Sequence, residues 1–128
     1  MRRALLCLPI LAGLVAGFDH SAVVTIKGEI TAVKEVKLDP ASRKMVVIEI
    51  ITKEGPYTVE LGPKSYLEYT DFVLKGGDRV SITGPMTQRE GKPILEAHSI
   101  TKRNETLLLR DKGGEPIWIL LERVRAAS

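Results

Sequence analysis

From Val24 to Leu38, apolar and polar residues take turns along the chain. Val24, Ile26, Ile30, Ala32, Val36 and Leu38 share one parity, and Thr25, Lys27, Glu29, Thr31, Glu35 and Lys37 share the other. A period of two places one face in a core and the other in water, which predicts a long strand. Gly28 falls on the apolar parity, where a missing side chain lets a strand bend sharply, so one strand can serve two sides of a small barrel. Asp39-Pro40-Ala41-Ser42 predicts a turn. Residues 45–51, apolar on nearly both faces, predict a second, central strand. After a turn at Glu54-Gly55-Pro56, the residues Tyr57, Val59 and Leu61 form the inward set of a third.

Gly62-Pro63 ends that strand, because proline has no amide to give to a ladder. Ser65 and Glu68 then have the S-x-x-E spacing of a capping box. Tyr66, Tyr69 and Val73, flanked by Leu67 and Leu74, predict a short amphipathic helix that stops at Gly76-Gly77. Val80, Ile82 and Gly84 open a fourth strand, Arg89-Glu90-Gly91-Lys92 predicts a hairpin turn, and residues 94–101 a fifth strand. Residues 106–111 and 117–121, either side of a glycine-rich turn, predict an added β-hairpin, and residues 122–128 a flexible tail. The expected fold is all-β: a five-stranded OB-fold Greek-key barrel with one short helix between strands three and four and a C-terminal hairpin.

The N-terminus does not fit that barrel. Met1-Arg2-Arg3 is followed by an unbroken apolar run to Phe18, with small residues at Val15-Ala16-Gly17. This is the pattern of an export signal covering residues 1–17, and it is short for a membrane span. The expected domain is therefore residues 18–121, periplasmic or secreted, with a signal anchor as the alternative. Cys7, the one cysteine, lies inside the signal, so the mature chain has no thiol. The full chain carries 19 basic and 16 acidic side chains. Loss of Arg2 and Arg3 leaves a net charge of +1, too small to predict a partner from bulk charge.

Several pieces carry a resemblance: Val59-Glu60-Leu61-Gly62-Pro63, Tyr66-Leu67, Gly77-Asp78-Arg79-Val80, Thr83-Gly84, Glu96-Ala97, and Leu109-Arg110-Asp111 through Gly114, Pro116 and Trp118. In this order the chain resembles a group of small exported bacterial OB-fold-like proteins of unknown function. Ser65 departs from a tryptophan common at that position. The resemblance implies the fold and export, and no enzymatic activity.

The chemistry-bearing residues are few. The mature chain has His20 and His98, no cysteine, and no serine in a recognisable nucleophile elbow, so an enzyme is not expected. Glu96 and His98 share a strand face, with His20 a conceivable third ligand; two residues do not make a metal site, and neither metal nor cofactor is expected. OB barrels bind across the face of strands two and three, between the loops joining strands one to two and four to five. Those loops carry Arg43, Lys44, Arg89 and Lys92, which are the candidate ligand-binding residues together with Trp118, the one tryptophan. The leading reading is a monomeric, exported, non-catalytic binding or accessory domain for an oligosaccharide, peptide or partner protein. The alternative is a single-stranded nucleic-acid binder. A third reading is a structural partner that docks through its C-terminal hairpin.

Overall fold

The computed structural model describes residues 22–37 and 43–120. The expected signal, the turn at 39–42, His20 and the tail lie outside the described residues. Strand β1 (Val23–Lys37) is followed by β2 (Lys44–Thr52), β3 (Gly55–Pro63), helix α1 (Lys64–Tyr69), β4 (Arg79–Arg89), β5 (Lys92–Glu96), β6 (Ser99–Lys102) and β7 (Glu105–Leu108). The strand order is β1-β2-β3-β5-β4-β6-β7, and a further β1–β4 pairing closes the first five strands into a barrel. All neighbours are antiparallel except β3 and β5. The helix stands between β3 and β4, so the strand-and-helix order anticipated from the chain is the one observed.

Closure depends on β1 bending. Its first half pairs with β4 and its second with β2, and Glu29 faces Ile51 on one edge and Arg79 on the other. Gly28 stands beside this corner. A Cβ there would lie 2.5 Å from the Ile51 carbonyl oxygen, so only glycine allows the strands to approach this closely. The alternation of β1 does not run through unbroken. A register shift between Ile30 and Ala32 places Val33 and Glu35 opposite the inward Ile48 and Val46. Val36, on the parity expected inside, now lies on the outward rows and is exposed; Val24, before the shift, and Val33, beyond it, are exposed as well. A bulge reverses the facing of every residue beyond it, and side-chain parity alone cannot reveal one.

The interior is filled by Ile30, Ile48, Ile50, Val59, Leu61, Ile82, Leu95 and Ile100, each at most 2% exposed. Full burial of such a side chain stabilises by roughly 1.5–3 kcal/mol.

The helix is built differently from the capping-box expectation. Its N-cap is Pro63, with no side-chain cap hydrogen bond, and Ser65 is an exposed residue within it. It stops earlier too. Thr70 is the C-cap, Asp71 adopts a left-handed φ of 58°, and the Phe72 and Asp71 amides donate to the Leu67 and Glu68 carbonyls. This is the two-bond Schellman arrangement, completed by buried Leu67 and Phe72. The apolar stripe is thus Tyr66, Leu67 and Phe72, while Tyr69 and Val73 are exposed. Gly76-Gly77 serves another purpose: the Gly77 amide donates to Ile30 and the Ile30 amide to Asp78, tying the loop back to β1.

Asp78 locks that loop. Its carboxylate accepts the Lys75 amide at 3.0 Å and faces Lys102 Nζ at 3.4 Å, and the same ammonium donates to the Val73 carbonyl at 2.6 Å. The Lys75 amide first, and the Lys102 charge second, hold the Asp78 carboxyl below its ordinary value of 3.8. A depressed folded pKa stabilises above the unfolded value, and the contribution fades as pH falls through the folded one. Asp78→Asn should therefore lower the urea midpoint near pH 7 and shrink the further loss of stability seen below about pH 4. An acid limb identical to the parent's would show that Asp78 does not contribute to it.

Past β5 the chain departs from expectation. Strand five breaks at Ala97-His98 into β5 and β6, both paired with β4. The added hairpin is β6–β7, turning at Arg103-Asn104, with a single Arg110–Pro116 bridge beyond it among the described residues. Residues 117–120 are helical, not a strand. An unbroken apolar run such as Ile117-Trp118-Ile119-Leu120 has no period to choose between the two. The tertiary contacts of Trp118 decide it.

Candidate functional site

The outer face of β1, β2 and β3 is where the expected loop cations were to act. Arg43 and Lys44 stand at the Pro63 end of β3, because Met45 pairs with Pro63. Arg89 and Lys92 stand near the other end, since Leu95 pairs in parallel with Val59. The two pairs come from opposite ends of the face and do not converge, although the Arg89 side chain reaches back to Glu60. Lys44 and Arg89 are also engaged within the protein. Lys44 lies 3.6 Å from Glu35, which also takes Lys64 at 3.1 Å. Arg89 makes a two-pronged bond to Glu60, Nε to Oε2 at 2.5 Å and a terminal nitrogen to Oε1 at 2.8 Å. Glu60 is the one buried charged residue among the described residues, 8% exposed, and Arg89 is its counter-ion. Lys92 is exposed.

Trp118 is not an exposed contact. It is 7% exposed, 6.1 Å from the Tyr66 ring, and a Cβ on Gly62 would lie 2.9 Å from it. The Arg110 guanidinium lies 5.1 Å from its ring centre. Tyr66 donates its hydroxyl to the Leu108 carbonyl at 2.8 Å, and burial raises its pKa. Together with buried Leu109 these residues fasten the C-terminal segment to the helix end of the barrel.

Glu96 is occupied by arginines, 3.6 Å from Arg89 and 3.8 Å from Arg110. No group of three or more metal-ligating side chains comes together among the described residues.

What remains on the outer β1–β3 face is mostly apolar and internally neutralised. Ala32, Lys34 and Val36 pair with Glu49, Val47 and Met45, and Lys34 meets Glu49 at 2.6 Å. Thr58, Glu60 and Pro63 continue the rows on β3, with no aromatic in any of them.

A second surface was not foreseen. An open groove of about 520 Å³ lies against the bend in β1, lined by Lys27, Gly28, Glu29, Ile51, Thr52, Lys53, Arg79, Val80, Ser81, Thr101 and Arg103. Two cross-strand rows make its floor, Ile51–Glu29–Arg79 and Lys27–Ser81–Thr101. Lys53 and Arg103 enter from the turns after β2 and β6. The outward parity of Lys27 was legible in the sequence. The convergence was not, since it depends on pairings among four separate strands.

Closed by five strands, plugged by a helix and open on two outer faces, the chain is an OB-fold barrel protein. It is similar in fold to the mitochondrial single-stranded DNA-binding protein Rim1 of S. cerevisiae, with 12% identity, a TM-score of 0.51, and 66% of this chain matched to 97% of that one. It is also similar to the N-terminal domain of PriB from Thermoanaerobacter tencongensis, at 19% identity and a TM-score of 0.44, over 65% of this chain and 97% of the other. Residues 22–107 match the MamS/MamX magnetosome protein family, and the chain belongs to that family. No curated protein matches it. No helix among the described residues is long and apolar enough to cross a membrane.

Proposed function

We propose that the protein is an exported, non-catalytic accessory domain of the magnetosome that recognises a peptide or partner protein on the outer face of β1–β3. The observation that carries this reading is the composition of that face. Half-buried Ala32, Met45 and Val47 and exposed Val36 supply apolar area, and the charges among them are already paired as Lys34–Glu49 and Glu60–Arg89. Such a surface suits a partner whose side chains bury against it under a polar rim. It suits single-stranded nucleic acid poorly, which needs aromatic platforms and unpaired cations along the strand path. Export is supported by the charged start and apolar run of residues 1–17.

Fluorescence anisotropy with a labelled single-stranded oligonucleotide tests the ligand class. Weak, salt-labile binding is expected, at the non-specific level of about 10⁻⁴–10⁻⁶ M. Tight binding that is lost on Lys34→Ser or Lys92→Ser would replace this reading with the nucleic-acid one. Intact mass of the protein from a periplasmic extract should correspond to a chain starting at Phe18.

A further inference from the structure

The groove at the β1 bend concentrates charge to a degree the whole chain does not. Lys27, Lys53, Arg79 and Arg103 line it against one acid, Glu29, giving the lining a net +3. Residues 18–128 as a whole carry only +1, so the rest of that chain is net negative. The four cations are exposed, and no salt bridge ties any of them to an acid among the described residues. Elsewhere on the surface Lys34, Lys44, Lys64, Arg89, Lys102 and Arg110 all have acidic partners. Even Glu29, directly across from Arg79 in the ladder, forms no ion pair with it.

Hydroxyls complete the floor. Thr52, Ser81 and Thr101 stand among the cations, and Thr101 shares a 2.8 Å hydrogen bond with Thr106. No aromatic side chain lines the groove, which leaves nothing for a nucleobase to stack on. Arg103 adds a conformational sign. It sits in a two-residue turn with a left-handed φ of 59°, a conformation glycine adopts at no steric cost. A strained arginine at the rim of a charged groove exchanges fold stability for the position of a guanidinium.

We infer that this groove is a binding site for a ligand carrying clustered phosphoryl groups. Lysines offer point charges, arginines offer planar forks, and hydroxyls donate to oxygens left over, a set that suits tetrahedral oxyanions presented together. A groove of about 520 Å³ holds more than one such group. The site borders one end of the proposed partner surface, since Ile51 in its lining pairs with Pro56 of β3, but its test reads phosphate affinity and stands or falls independently of that reading.

Calorimetric titration of the full chain with sodium tripolyphosphate tests the assignment. One site per chain is expected, weakening steeply with added salt. Arg79→Ser and Lys27→Ser should each reduce affinity by about tenfold, the scale of one charge-assisted contact. Lys112→Ser, which removes a cation outside both surfaces, should leave it unchanged. Arg103→Gly is the decisive variant: it should weaken binding while the urea midpoint holds or rises. Vesicles containing phosphatidic acid, against phosphatidylcholine alone, identify the source. Arg79-dependent capture makes it a lipid headgroup, and tripolyphosphate binding without capture makes it a soluble phosphate. Absence of binding, an equal loss in the control variant, or equal affinity for citrate would each overturn the inference.

Discussion

Gly84→Val should leave little folded protein at neutral pH, and Gly84→Ala should lower stability by at least about 3 kcal/mol, toward or beyond the upper end of overpacking costs. The reason is a seam with no slack. A Cβ at Gly84 would lie 2.1 Å from the Glu96 carbonyl oxygen and 3.0 Å from the His98 amide nitrogen. Both are backbone atoms, so no side chain can swing aside. Here strand five breaks: the Ala97 amide donates to Glu60 and the His98 amide to Thr83 at 2.7 Å. Parting β4 from the break would stretch the bonds that close the barrel between β3 and β4. A domain of this size holds only about 5–15 kcal/mol in total, so valine takes most of it.

The contrast within the same chain makes the test specific. A Cβ at Gly76 would meet only the Thr31 and Ile30 carbonyls, at 3.9 and 4.0 Å, and the backbone there is not left-handed. Gly76→Ala should stay within about 0.5 kcal/mol of the parent, or gain slightly from a stiffer unfolded chain. Urea unfolding of the three variants reads the difference. A Gly84→Ala midpoint equal to that of Gly76→Ala would mean that β4 and the strand-five break are farther apart than the barrel requires.

Why the barrel could be read from the chain, and the groove could not, follows from what each depends on. Barrel strands announce themselves through parity: Tyr57 and Val59 in β3, or Val80 and Ile82 in β4, alternate and face inward, although β3 too shifts register at Leu61. Parity failed in β1 beyond Ile30, because a bulge leaves composition unchanged while turning Val36 outward. It was silent past Pro116, where four apolar residues in a row fit a strand or a helix equally. The helix stop was misplaced because Asp71 took the left-handed position that two glycines five and six residues on appeared to claim. Among candidate ligands, Arg89 and Trp118 drew notice for their residue types alone. Their burial partners, Glu60 and Gly62, are distant in sequence or far from suggestive of a contact. Lys27, Lys53, Arg79 and Arg103 drew none, since lone cations on separate elements usually only keep a surface soluble.

Arg89→Met should cost about 3 kcal/mol, while Glu60→Met costs nearer 1 and the double variant lies close to the parent. The asymmetry comes from burial. The Glu60 side chain is 10% exposed and Arg89 44%. Without Arg89 the carboxylate is left in a dry site with no counter-ion, the penalty that makes breaking a buried pair cost several kcal/mol. Without Glu60 the guanidinium can turn to water, or toward Glu96 at 3.6 Å. Removing both leaves two apolar side chains over an outer face that already carries Val47, directly across from Glu60. The cycle should therefore show a coupling of about 4 kcal/mol, at the upper end for neighbouring groups and well above the fraction of a kcal/mol typical of an exposed pair. Equal single losses that simply add would mean that Glu60 reaches solvent and that Arg89 is available to a ligand after all. With the coupling observed, Arg89 belongs to the barrel's internal stability, and whatever binds the β1–β3 face does so without its charge.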